Sequence, residues 1–393
     1  MAKQDVKPLE DGENKEENEN MSLAKVEQPD NLRRAGDLSE PRLLIHRLGR
    51  DMTIICLALC SRSDYGSIAS LNTAFRSVVR SGELYRLRRA MGIVEHWVYM
   101  CCNLLEWVAF DPIRHRWMNL PKIICNECFM CSDKESLGVG TELLVFGREI
   151  ISLAIYKYSI LTHSWTTGTS MDTPRCLFGS ASLGEIAIVA GGCDPLGNVL
   201  DSAELYDSET GKWMTIPSLN KARKMCSAVF MDGKFYVIGG IGIDNLQALT
   251  CGEVYDLKTK TWCVIPNMYP ERNEEAAEEQ LPPSSQAPPL VAVVNNDLYA
   301  ADHALKVLKK YNKEKNLWVT LGQLPERAVS MNGWGIAFKS CGNKLMVIGG
   351  PRTYGKGVVE INSWVPSDGP VEWNLLARKS SSSFVYNCTV MGC

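Results

Sequence analysis

The stretch Ile188-Val189-Ala190-Gly191-Gly192 is followed by Tyr206-Asp207 and then by Trp213. The same series returns as Tyr236-Val237-Ile238-Gly239-Gly240, Tyr255-Asp256 and Trp262. A third glycine-pair run is Met346-Val347-Ile348-Gly349-Gly350, and Phe110-Asp111 and Tyr311-Asn312 are weaker copies of the aromatic-acid step. Working outward, single tryptophans recur at Trp117, Trp165, Trp213, Trp262, Trp318 and Trp373, at separations of 48, 48, 49, 56 and 55 residues. A steady period of this size marks a repeat architecture, in which one unit cannot bury its own faces and must stack on the next.

From Val94 onward, short β-type runs alternate with Gly, Asn, Asp and Pro turns, so each unit reads as a four-stranded antiparallel blade. Glycine pairs allow strands to crowd near a central channel, where a Cβ would clash. The Tyr and Trp strands supply bulk for the wider gap between blades farther out. Radial repetition protects the sheet edges. The expected fold class is therefore mainly β, a six-bladed propeller. Degenerate blades are admitted at His96–Met100, Leu144–Arg148 and Leu298–Asp302. Blade one lacks an innermost strand before Trp97, and the C-terminal run 384–391 is expected to close the ring there. The longer step from Trp262 to Trp318 contains an acidic, proline-rich stretch, 271–289, read as a loop insertion.

Two other segments precede the propeller, which is expected to span 93–393. Residues 1–40 hold 11 acidic and 6 basic residues and no aromatic, the composition of a disordered acidic tail. Residues 41–92 read as a small helical module. Leu44, Ile45, Leu48, Met52, Ile54, Ile55 and Leu57 cluster on one helix. Ser63 is placed as the cap of a second, whose apolar face is Tyr65, Ile68, Leu71, Phe75 and Val78, and Ser81 as the cap of a third. A core of this size is marginal alone and calls for a neighbour.

Bulk properties exclude several classes. The 393 residues are 45% apolar and 22% charged, with a net charge of −3, so no basic field draws in nucleic acid or an acidic membrane. Apolar runs such as Thr53–Cys60 fall far short of the ~20 residues that span a bilayer. The opening Met-Ala-Lys-Gln-Asp lacks the regions of a secretory signal, so the 15 cysteines are expected to be reduced thiols in the nucleus and/or cytoplasm.

The stretches Ser61-Arg62-Ser63-Asp64-Tyr65-Gly66-Ser67, Ser81-Gly82-Glu83-Leu84-Tyr85-Arg86-Leu87-Arg88 and Gly92-Ile93-Val94-Glu95-His96-Trp97-Val98-Tyr99 carry a resemblance. Together with a repeat near the ~50-residue kelch period, the chain over 42–393 resembles the plant F-box/kelch-repeat proteins. The resemblance implies an F-box helical module followed by a six-bladed kelch propeller. It implies a noncatalytic substrate-recognition subunit of an SCF-type ubiquitin ligase, with two partners. One is the SCF adaptor subunit, and through it cullin; the other is a protein substrate held by the propeller. Carried over, Leu44, Leu48, Ile54, Ile55 and Leu57 form the adaptor-facing surface. The usual Leu-Pro start is replaced here by Leu48-Gly49-Arg50. The alternative is a kelch-propeller interaction scaffold without a ligase role.

Arginines recur at equivalent loop positions. Arg175, Arg223, Arg327 and Arg378 follow the Trp strand, while Arg148 and Arg352 follow a glycine of the preceding apolar strand. Gathered at a channel mouth, such guanidiniums suit an acidic or phosphorylated peptide. Alternatively, the first four belong to the repeat and bond loop carbonyls. Cys125, Cys128 and Cys131 have C-x2-C-x2-C spacing but no fourth ligand nearby, so they are read as ordinary thiols. The five histidines form no catalytic or metal motif. No catalytic residue, metal or cofactor is expected.

Overall fold

The computed structural model describes residues 48–150, 152–243, 248–269, 286–326, 332–351 and 357–392. Two compact units divide the chain, Met1–Arg42 and Leu43–Cys393, and the first lies outside the described residues. So do the tail at 1–40 and most of the stretch 271–289.

Four helices open the second unit: α1 (Arg50–Leu59), α2 (Arg62–Leu71), α3 (Thr73–Arg80) and α4 (Glu83–Ala90). Blade one contains β1 (His96–Asn103), β2 (Glu106–Asp111) and β3 (Arg116–Asn119). After a short α5 (Glu127–Cys131), blade two is β4 (Glu135–Val139), β5 (Glu142–Arg148), β6 (Leu153–Ser159) and β7 (Ser164–Thr167). Blade three is β8 (Gly179–Leu183), β9 (Ile186–Ala190), β10 (Ala203–Asp207) and β11 (Lys212–Ile216). Blade four is β12 (Ser227–Met231), β13 (Lys234–Ile238), β14 (Gly252–Asp256) and β15 (Thr261–Ile265). Blade five is β16 (Val291–Val294), β17 (Asp297–Asp302), β18 (Val307–Asn312) and β19 (Leu317–Gln323). Blade six is β20 (Ala337–Cys341), β21 (Lys344–Gly349), β22 (Val358–Trp364) and β23 (Asn374–Ser380).

The last strand, β24 (Asn387–Gly392), does not extend blade six. It pairs antiparallel with β1, from His96↔Gly392 to Cys101↔Asn387, and becomes the innermost strand of blade one. Successive innermost strands touch in the cyclic order β24, β4, β8, β12, β16, β20 and back to β24, so the six blades form a closed ring.

Repeated aromatics hold the blades to one another. In five blades the Tyr or Phe of the third strand lies directly across from the Trp of the fourth, as Tyr206↔Trp213 and Tyr255↔Trp262. These rings sit 4.6–5.4 Å apart. In blades two to six the indole N–H reaches back to the preceding blade: Trp165 to Pro121 O, Trp213 to Thr169 O, Trp262 to Pro217 O, Trp318 to Met268 O and Trp373 to Gln323 O, at 2.7–3.1 Å. One residue thus fills the outer gap and satisfies its polar atom across it.

Two of the three glycine pairs have a more specific reason than crowding at the channel. They end β9 and β13, the second strands of their blades. Gly191 and Gly192 have φ of 68° and 93°, and Gly239 and Gly240 have 64° and 96°. A Cβ on Gly191 would lie 2.4 Å from Arg223 O, and one on Gly192 would lie 2.5 Å from Cys176 O. Both the left-handed backbone and the close approach exclude a side chain.

In the helical module, the single long helix expected from Ser63 to Val78 is two. Asn72 breaks it, ending α2 and capping α3 by accepting from Phe75 N–H at 2.9 Å. The first cap is Ser61, which accepts from Ser63 N–H, while Ser63 turns away to donate to Asp111 at 2.5 Å. Gly82 caps α4, with Ser81 Oγ accepting from Glu83 N–H at 3.2 Å. Ile54, Leu57, Ala58, Tyr65, Phe75, Val78, Val79 and Leu84 form the core, completed by Ile160 and Leu161 from the blade-two turn. The propeller therefore supplies the neighbour that this small core needs.

Candidate functional site

Strand direction sorts the loops onto two faces. Turns between first and second strands, and between third and fourth, share one face. The loops from second to third strand and from one blade to the next share the other. The helical module occupies the turn face: Ser63 binds Asp111 beside the blade-one turn, and Arg89 pairs with Glu185 in the first turn of blade three. Arg62 anchors the joint. It donates to Tyr99 OH at 2.8 Å and lies 4.7 Å over the Trp97 ring. A cavity of about 470 Å³ remains between α2–α4 and the blade-two turn. Among the described residues, the helical module leaves the loop face uncovered.

Two of the six arginines read as candidate binders lie in loops on that side but beneath its surface. Arg175 and Arg223 are fully buried. Arg175 pairs with Glu204 at 2.7 Å and donates to Gly191 O and Ser202 O, while Glu204 also accepts from Asp172 N–H and Thr173 N–H. Arg223 repeats this with Glu253, Gly239 O and Cys251 O. Burial lowers the Arg175 pKa, and the Glu204 carboxylate opposes that shift. These guanidiniums tie a loop to its own blade and are closed to a ligand.

Arg148 is exposed at the end of β5. Arg378 is exposed too, but it lies across from Glu360 and donates to it at 2.7 Å. Arg327 and Arg352 lie outside the described residues. The arginine cluster at a channel mouth is therefore not assembled by the described residues.

The loop face carries an apolar crown that the arginine pattern concealed. Leu104, Ile150, Leu196, Ile243 and Leu305 are 48, 74, 88, 74 and 58% exposed, and each lies in the loop between the second and third strands of blades one to five. Three exposed aromatics, Trp334, Phe384 and Tyr386, lie in the loops leading into the innermost strands of blades six and one. Phe384 and Tyr386 pack 4.7 Å apart. One aliphatic tip per blade was legible in the sequence only after the blade phase placed all five in equivalent loops.

On the helical module, α1 has two faces. Ile54 and Leu57, expected on an outer surface, point into the core. Leu48, Met52, Ile55 and Leu59 are 36, 53, 37 and 64% exposed. Met52, Ile55 and Leu59, spaced three and four residues apart, make one stripe along the outer side of α1, and Leu48 precedes it before the N-cap Gly49. Leu44 lies outside the described residues. Arg50 is turned aside from the stripe by a paired contact to Glu83 at 2.9 and 2.6 Å.

Among the described residues no His, Cys, Asp or Glu cluster could hold a metal. His115 and His163 occupy left-handed turn positions, with φ of 55° and 53°, beside Trp117 and Trp165. His303 packs against Gly333.

Comparison with known proteins follows the same outline. The Kelch motif model matches 174–220 and 222–269, which cover blades three and four, the two with buried Arg–Glu pairs and left-handed glycine pairs. The F-box/kelch-repeat protein SKIP11 of Arabidopsis thaliana is 61% identical over 360 residues, covering 91% of this chain and 77% of its own. The chain belongs to the plant F-box/kelch-repeat family. Two further Arabidopsis F-box/kelch-repeat proteins, At1g74510 and At1g26930, are 59% and 57% identical over 89% and 91% of this chain and 79% and 85% of theirs. In this F-box/kelch-repeat chain, helices 50–90 form the F-box region and the six blades form the kelch propeller, the architecture of a substrate adaptor.

Proposed function

We propose that this protein is the noncatalytic substrate-recognition subunit of an SCF-type ubiquitin ligase. The F-box binds the SCF adaptor subunit, and through it cullin, while the loop face of the propeller holds a protein substrate. The observation that carries the reading is the exposed Met52-Ile55-Leu59 stripe on α1, with exposed Leu48 just before it, on a helix whose other face is already buried. Apolar surface left open along one helix is the kind of surface a partner covers. The substrate meets the opposite face, so both partners can bind together. Its surface is expected to be apolar or aromatic, matching the crown and the Trp334-Phe384-Tyr386 group, since aromatic side chains are enriched at the cores of protein interfaces.

The test is recovery of purified adaptor on the immobilised full-length chain. A Leu48→Asp/Ile55→Asp variant should melt at the temperature of the natural protein yet lose at least about tenfold in adaptor recovery, since two charges would face an apolar partner. Equal recovery by both proteins would reject the ligase assignment and favour an interaction scaffold. Capture under proteasome inhibition, with and without residues 48–90, then distinguishes substrates from adaptor-side partners.

A further inference from the structure

Cys176 and Cys193 face each other on the loop side of blade three. Cys176 precedes β8, and Cys193 follows the glycine pair that ends β9. Their backbones exchange both hydrogen bonds, Cys176 N–H to Cys193 O at 3.0 Å and Cys193 N–H to Cys176 O at 2.8 Å. A pair of this kind holds its Cα atoms about 5.5 Å apart, inside the range of roughly 4.4–6.8 Å that a disulfide spans. The two Sγ atoms are 3.5 Å apart. Closing them to a bond of about 2.05 Å takes side-chain rotation, with the backbone already in place.

Blade four provides an internal comparison. The equivalent positions there are Lys224 and Ile241, and the same bridge forms, with N–H···O distances of 3.0 and 2.7 Å. The fold therefore builds this bridge in blade four without sulfur, and blade three adds the thiols to it. Cys176 is half-buried and Cys193 is 6% exposed, and their surroundings shift the two thiols apart. The hydrogen bond between the two thiols, with positive charge from Lys224, brings the Cys193 thiol down to about 7 while that of Cys176 rises. By contrast, burial pushes Cys101, Cys341 and Cys388 up to about 12. A thiolate near neutral pH, with a second thiol in van der Waals contact, is the arrangement of a reactive pair.

We propose that Cys176 and Cys193 form a redox modification site, a dithiol that hydrogen peroxide converts to a disulfide. Cys193 sulfur attacks one peroxide oxygen, the O–O bond breaks, and the departing hydroxide takes a proton to leave as water. The Cys176 thiol loses its proton and its sulfur attacks the Cys193 sulfenic sulfur, expelling a second water. Two thiols and one peroxide become one disulfide and two waters. The bond ties the loop before β8 to the loop that carries Leu196 in the crown. The site goes beyond the adaptor reading and stands whether or not that reading holds.

The experiment treats the folded full-length protein with hydrogen peroxide, blocks remaining thiols with iodoacetamide and digests with trypsin. Both cysteines fall in the peptide 176–212, which follows Arg175 and ends at Lys212. The expected result is loss of alkylation at both positions and a peptide lighter by roughly 2 Da than the unmodified dithiol, reversed by dithiothreitol. In Cys176→Ser, Cys193 should instead stop at a sulfenic acid captured by dimedone. Persistent alkylation of both thiols, oxidation to sulfinate without a bridge, or a bridge from either residue to another cysteine would overturn the proposal. If the variant fails to fold, the peptide mass from the natural protein decides alone.

Discussion

A guanidinium taken out of water is costly unless its charge and donors are matched, and Arg175 and Arg223 meet that condition in the same way. Each faces one glutamate from the third strand of its blade and two carbonyls beyond it. Each glutamate in turn collects the backbone N–H groups of the loop that delivers the arginine. The unit fastens a loop to the ends of two strands at one point. Removing one member leaves the other charge buried and unpaired, which costs about 3–5 kcal/mol. Arg223→Ala is therefore expected to lower stability by about that amount in guanidinium titration, whereas Arg148→Ala, at an exposed position, should change it by less than about 0.5 kcal/mol. The recurrence of these arginines was legible in the sequence; their burial was not. Glu204 and Glu253 lie 29 and 30 residues away on another strand, so local spacing gives no sign that each arginine already has a partner.

At the scale of elements, α1 begins without the usual proline, and the geometry there remains suited to one. Gly49 has φ −61° and ψ 161°, and a Cβ built on it meets nothing within 4 Å. Proline holds φ near −65° and reduces the freedom of the unfolded chain. Gly49→Pro is expected to raise stability by about 0.4–1 kcal/mol, read as a higher melting temperature, with adaptor recovery retained. A lower melting temperature would show that the Gly49 backbone N–H or the preceding residue resists the ring. Helical periodicity located this module but misjudged its breaks and its faces. Period alone marks a stripe as apolar, yet which side of α1 is covered depends on α4 and on Ile160-Leu161, about a hundred residues downstream. Leu57 and Ile55, two positions apart, end on opposite sides for that reason.

At the scale of the whole molecule, six blades were readable from tryptophan spacing because each Trp answers a purely repetitive demand, to fill the outer gap and, in blades two to six, reach the blade behind. What the period does not contain is the joint where the ring must meet itself. There β24 lies between β1 of its own sheet and the innermost strands β20 and β4 of its neighbours. Cys388 and Met391 are buried on it, and Thr389 Oγ1 accepts from Gly138 N–H in blade two at 3.0 Å. Cutting the chain after Tyr386 would remove these side chains, break the ladder along β1 and expose that strand as a free apolar edge. Losing two buried side chains costs about 1.5–3 kcal/mol each, and an unpaired edge adds unsatisfied backbone groups. Against the roughly 5–15 kcal/mol that holds an ordinary domain together, such a loss is a large fraction of the total. The truncated chain is therefore expected to lose its cooperative melting transition or to melt far lower, while Ser380→Ala, at the exposed end of β23, leaves the transition in place. An unchanged transition after truncation would mean that blade one is held by its three remaining strands, and that the ring does not depend on its C-terminal strand.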